Sequence, residues 1–151
     1  MTSHVLAALI VKIDDAVRLG RKTVEVWGTG RPRREFLHVD DLADAAVFLI
    51  RNWSDNEHLN IGTGVDVSIA ELAQLIARVV GFEGRFVFDR SKPDGAPQKL
   101  LDVTKLTALG WRHRTHLETG ILQTYDWYRN RLSNDRRHVH AAGRILPSNY
   151  P

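Results

Sequence analysis

Apolar residues recur at helical spacing in four separate stretches of this chain, and short runs rich in valine and aromatic residues fall between them. Over 151 residues this alternation includes no long unbroken series of strand–helix–strand units. It points to a small α/β or α+β domain, or to the smaller lobe of something larger. Val5, Leu9, Ile13 and Val17, with Leu6 and Ile10 beside them, predict an amphipathic helix that ends near Gly20. Residues 23–27 predict a strand, Gly28-Thr29-Gly30-Arg31-Pro32 a turn, and residues 36–39 a second short apolar segment. Asp40 and Asp41 stand where an N-cap belongs, ahead of a helix face made by Leu42, Ala45, Ala46, Leu49 and Ile50. A strand over 59–61 is expected to lead into the turn Gly62-Thr63-Gly64.

Ser68 and Glu71 have the spacing of a capping box, and Leu72, Leu75, Ile76, Val79 and Val80 carry the helix behind it to Gly81. Residues 85–88 predict another strand. Residues 91–97 hold two prolines and a glycine and predict a loop. Thr115 and Glu118 form a second candidate capping box, before a last helix through Ile121, Leu122, Tyr125 and Tyr128. After Arg131 the pattern stops. The expected organisation is one domain over 1–131 and a disordered tail over 132–151, which is polar and unpatterned.

Composition narrows the partners. The net charge of +3 suits an anionic small ligand. With no Lys/Arg stripe interleaved with aromatics, no nucleic-acid partner is expected. There is no cysteine, so no disulfide framework and no thiolate metal site; this suits the cytoplasm. His138 and His140 alone make a poor metal site. No apolar run approaches the roughly 18 residues of a membrane span, and residues 1–5 lack the pattern of a secretory signal.

Two clusters can carry chemistry. In the first, Trp27 ends a strand, Gly28 to Gly30 form a turn, and Arg33 and Arg34 follow one strand later. An indole face can cover a base or ribose, and a guanidinium can hold a phosphate in two hydrogen bonds. The same residues also fit a core tryptophan with two surface arginines. In the second, Ser91-Lys92-Pro93-Asp94-Gly95 runs on to Lys99-Leu100-Leu101-Asp102. Asp94 could accept from ribose hydroxyls or a base edge, and Lys99 could neutralise a phosphate. A plain surface turn is the other reading.

Together, Ser3-His4-Val5, the Trp27 to Gly30 turn, Arg34-Glu35-Phe36-Leu37-His38-Val39-Asp40-Asp41, Asn60-Ile61-Gly62-Thr63-Gly64, and the Lys-Pro-Asp-Gly loop ending in Lys-Leu-Leu-Asp resemble the GDP-L-fucose synthase family. These are NADPH-dependent epimerase-reductases of the extended short-chain dehydrogenase class. The likeness runs from about Ser3 to Asn130. The Arg-Glu-Phe string marks the wider nucleotide-sugar epimerases and dehydratases, and the loop from Lys92 to Asp102 marks the branch. The resemblance implies that His4 is an acid in epimerisation, close to the cofactor. It implies that Lys12, Trp27, Arg34 and Asp94 contact a GDP-sugar, and that Lys99 contacts its diphosphate. Trp27, Arg34 and Asp94 are then expected to converge on one pocket.

The resemblance also implies an α/β fold comprising only the C-terminal, substrate-binding part of a Rossmann-type enzyme, with the N-terminal cofactor-binding half missing. No glycine-rich dinucleotide fingerprint, no Tyr-x-x-x-Lys pair and no cysteine partner for His4 occurs in the sequence. The expectation is a chain inactive by itself, with strand edges and apolar surface left open. It would pair with a separate N-terminal half or with a second copy. A nucleotide-sugar-binding remnant, or part of an epimerase or dehydratase for another nucleotide sugar, are the alternatives.

Overall fold

A computed structural model describes residues 4–142, with side chains described as far as Ser133. In chain order the elements are α1 (Val5–Arg18), β1 (Thr23–Trp27), β2 (Arg33–Glu35), α2 (Val39–Asn52), β3 (Asp66–Ser68), α3 (Ile69–Val80), β4 (Arg85–Asp89), β5 (Gln98–Lys99), α4 (Thr104–Ala108) and α5 (Leu117–Ala142). β1 and β4 pair in parallel, with Thr23 opposite Arg85 and Trp27 opposite Asp89. β2 lies at the centre of a second sheet, antiparallel to β3 and parallel to β5.

Along β1, Val24 and Val26 point into the core and Thr23, Glu25 and Trp27 point out, as the two-residue period of a strand requires. The core side meets Leu9, Ile10 and Ile13 of α1, Leu72, Ala73 and Ile76 of α3, and Ile121 of α5. A parallel pair is usually covered on both faces. Here the second face, carrying Glu25, Trp27 and Val87, is open among the described residues. A smaller cluster forms around Ala45, Leu106 and Trp111, with Leu59 and Ile61 packed against it.

The capping box of α3 forms as expected. Ser68 accepts from the Glu71 N–H, and the Glu71 carboxylate accepts from the Ser68 N–H. Gly81, at φ 80°, closes the helix in the left-handed region.

Several expectations are corrected. The second strand is Arg33–Glu35, because pairing with β3 and β5 fixes it there, whereas Phe36 turns into the main core. Residues 59–61 form no strand; their apolar side chains serve the second cluster instead. α2 starts at Val39 with His38 as N-cap, its Nδ1 accepting from the Asp40 N–H, while Asp41 is spent on a distant loop. The face of α2 toward the protein holds Asp41 and Ala45, so Leu42, Ala46 and Ile50 lie outside it. Thr115 does not open α5 as a capping residue, since the helix begins at Leu117 and the Thr115 N–H donates to Asp41.

The tail boundary also moves. α5 continues through Ala142, past residue 131. A helix already nucleated on the core extends at one hydrogen bond per residue without needing an apolar face. The rest of the expected tail, residues 143–151, lies outside the described residues.

Candidate functional site

The glycine turn after β1 and the loop of residues 91–97 are latched together by Asp94. Its carboxylate accepts from the Thr29 N–H at 2.8 Å and from the Thr29 hydroxyl at 2.6 Å. The Thr29 hydroxyl and then its N–H hold the Asp94 carboxyl below the usual carboxylate range. The latch depends on Gly28, whose φ is +81° and where a Cβ would stand 2.2 Å from Asp94 Oδ1.

Arg34 reaches the same loop from the centre of the second sheet. Its guanidinium donates to Ala96 O at 2.8 Å and to Arg33 O at 2.7 Å, and it lies against Gly95. Lys99 is paired with Arg34 in the strand register, which sets two cations side by side. Next to them Glu35 ties the sheet to two further loops. Its carboxylate accepts from the N–H groups of Thr63, Gly64 and Leu101, the last two at 2.7 and 2.9 Å. Gly62 permits this approach, because a Cβ there would stand 2.4 Å from Glu35 Oε1.

Arg34, Lys99 and His4 line one cavity of about 760 Å³, closed by His38 and by Gly120 and Thr124 of α5. His4 occupies the N-cap position of α1 at its rim. Trp27 and Lys12 lie elsewhere. Trp27 is 62% exposed at the end of β1 and donates its Nε1–H to Glu25 Oε1 at 3.1 Å. The Lys12 and Lys92 ammoniums stand 5.3 and 5.7 Å from its ring centroid.

The expected convergence of Trp27, Arg34 and Asp94 on one pocket is not met: of the three only Arg34 lines the cavity, together with His4 and Lys99, while Trp27, Asp94 and Lys12 lie outside it. Asp94 does not line the cavity, and both of its carboxylate oxygens accept from Thr29. The two groups are joined through the 91–97 loop, whose Asp94 holds the turn after Trp27 and whose Ala96 holds Arg34. Sequence reasoning passed over Lys92, Glu35 and Thr29. Lys92 sits two residues before Asp94, and Glu35 is the middle of the Arg-Glu-Phe string, so both were within motifs already singled out.

Among the described residues no helix is long and apolar enough to cross a membrane. A sequence profile described as the NAD dependent epimerase/dehydratase family matches residues 1–62. Among curated relatives, GDP-L-fucose synthase 1 of Arabidopsis thaliana is 54% identical over 132 residues, covering 87% of this chain and 41% of the relative. GDP-L-fucose synthase of Escherichia coli is 51% identical over 135 residues, covering 83% and 42%. The crystal structure of a GDP-L-fucose synthetase from Naegleria fowleri bound to NADP superposes with a TM-score of 0.81 at 30% identity, covering 87% of this chain and 41% of that one. The chain therefore spans about two fifths of the length of these relatives.

Proposed function

We propose, from the premise that this chain belongs to the NAD-dependent epimerase/dehydratase family, that it is the GDP-sugar-binding part of a GDP-L-fucose synthase. The whole enzyme would epimerise GDP-4-keto-6-deoxy-D-mannose at two ring carbons and reduce its ketone with NADPH, giving GDP-L-fucose. The observation that carries this reading is the pairing of Arg34 with Lys99 on adjacent strands, in the wall of the cavity that His4 also lines. A guanidinium fork and an ammonium side by side suit the two phosphates of a nucleoside diphosphate.

In this reading Arg34 and Lys99 hold the diphosphate, and His4 stands where an imidazole can pass a proton to the sugar ring near neutral pH. Trp27, with Lys12 beside it, offers a flat face to the nucleoside. Asp94 acts by fixing the turn that carries Trp27, unless ligand displaces Thr29 from it.

The residues present do not form a cradle for the NADPH pyrophosphate. Such a cradle needs a glycine turn that opens directly into a helix. Here the glycine turn after β1 leads into β2, and β4 leads into the 91–97 loop. What this chain does is bind and orient the sugar nucleotide. Hydride transfer belongs to the N-terminal part of the fold.

The outer face of α2 supports a partner of that kind. Val39 is 68% exposed and Ile50 83%, with Leu42, Ala43, Ala46 and Val47 exposed between them. A helix apolar on two opposite sides is one that a fold buries on both.

Calorimetry with GDP, GDP-mannose and UDP-glucose tests the assignment. GDP and GDP-mannose should bind, and Arg34→Ala or Lys99→Ala should weaken them by about tenfold or more. Stronger binding of UDP-glucose would move the chain to another branch of the family, and no binding by any of them would leave a non-binding remnant. With NADPH and the keto-sugar, the purified chain alone should not turn over; turnover refutes the division of labour.

A further inference from the structure

The segment of residues 110–115 is clamped to α2 by two carboxylates one helical turn apart. Asp41 accepts from the N–H groups of Arg114 and Thr115 at 3.3 and 2.9 Å, and Asp44 accepts from Trp111 Nε1 at 2.8 Å. Trp111 is itself buried in the second core cluster. The segment is thus held in place, and beside it lies a cavity of about 510 Å³. Its charged lining is Arg51, Arg112 and Arg114, with His113 between the last two and Asp44 as the one carboxylate. Val47 and Phe48 give it an apolar wall.

Among the described residues none of these guanidiniums has an ion pair or a side-chain hydrogen bond. Asp44 is engaged by the indole. Three guanidiniums against the single carboxylate of Asp44 leave the concavity with an excess of positive charge, which an anion would answer. The volume falls within the roughly 300–1,000 Å³ of small-molecule sites. The cavity shares no lining residue with the one at His4, Arg34 and Lys99.

We propose that this second cavity binds a small phosphorylated molecule, with phosphate in the forks of Arg51, Arg112 and Arg114 and its organic part over Val47 and Phe48. A nucleic-acid strand fits less well, since the aromatic residue that could stack, Trp111, is only 5% exposed.

The test is titration of the ¹⁵N-labelled full chain with phenyl phosphate and, separately, inorganic phosphate. Saturable shifts are expected at the amides of residues 51–52 and 110–114, with phenyl phosphate the tighter ligand. R112Q/R114Q should weaken binding there by roughly tenfold or more. R112K/R114K should weaken it too, although charge is conserved, because an ammonium cannot replace the bidentate fork. Amides of residues 34–39, 96, 98 and 99 should respond as in the parent chain. Absence of saturable shifts at millimolar ligand overturns the proposal, as do equal shifts from sodium chloride at matched ionic strength, or shifts indifferent to the substitutions. If a double variant loses its dispersed spectrum, R51Q alone decides by the same criteria. Binding of an oligonucleotide at these amides without binding of phenyl phosphate also overturns it.

Discussion

Asp14 of α1 is fully buried and accepts a hydrogen bond from the Tyr125 hydroxyl of α5 at 2.8 Å. Arg129 and Arg18 complete its shell, at 3.0 and 2.9 Å. This contact fixes the relation between the two helices that bound the His4 cavity. α1 brings His4 to the rim, and α5 brings Gly120, Ile121 and Thr124 to the wall.

Burial, the largest influence, pushes the Asp14 carboxyl up, but hydrogen bonds from Tyr125, Arg129 and Arg18 outweigh it and leave it below its ordinary value of 3.8. A carboxyl lowered on folding binds its proton less well folded than unfolded. Its contribution is complete above the unfolded value and is lost as pH falls through the folded one. Asp14→Asn should therefore cost about 2 kcal/mol at neutral pH, by setting an amide N–H₂ among donors. The difference from the parent chain should shrink below pH 3.8. Urea unfolding at both pH values reads this, and an equal cost at both contradicts it.

Gly28→Ala should strain the turn and push Asp94 off Thr29. A left-handed alanine costs about 1–2 kcal/mol before any clash is counted, and here its methyl would meet Asp94 Oδ1 at 2.2 Å. The Asp94 carboxyl, no longer held down by Thr29, should titrate closer to an ordinary aspartate, as carbon-detected NMR can follow. An unchanged titration would show that the latch is not what lowers it.

Glu35→Gln should lower stability by about 2 kcal/mol, because one acceptor oxygen among three backbone N–H groups becomes a donor. The loss should appear first as faster amide exchange at Thr63, Gly64 and Leu101, the residues that donate to it. Glu35→Asp keeps the charge but shortens the reach, so part of the protection should return. If exchange at those three amides is unaltered in both variants, Glu35 is not what joins the loops.

Much of this was legible because it is local. The capping box at Ser68 and Glu71 needs only neighbouring residues, and the valines of β1 announce their face by alternation. The short strands β2, β3 and β5 were not legible, since their pairing is set by residues distant in the chain, as Arg34 with Lys99. The same reason hid the direction of Asp94. Its type and its loop are visible in the sequence, but its hydrogen bonds run to Thr29, 65 residues earlier. The inward face of α2 was misplaced because both sides of that helix are apolar, so periodicity could not choose between them.

The outer face of α2 should govern whether the chain associates in solution. Ile50 and Leu42, 83% and 46% exposed, lie with Val39 and Ala46 on a face that no described residue covers. Burying an isoleucine or leucine is worth about 1.5–3 kcal/mol, so association through this face should be concentration-dependent. Leu42→Glu with Ile50→Glu leaves Asp41 and Ala45, the buried side of the helix, untouched. The double variant should keep its helical content and weaken association by roughly tenfold or more, since charge would enter the contact at two points. Sedimentation equilibrium across a concentration series measures this. A parent chain that stays monomeric, with one sharp melting transition independent of concentration, would mean that this apolar face is stable in water without a partner.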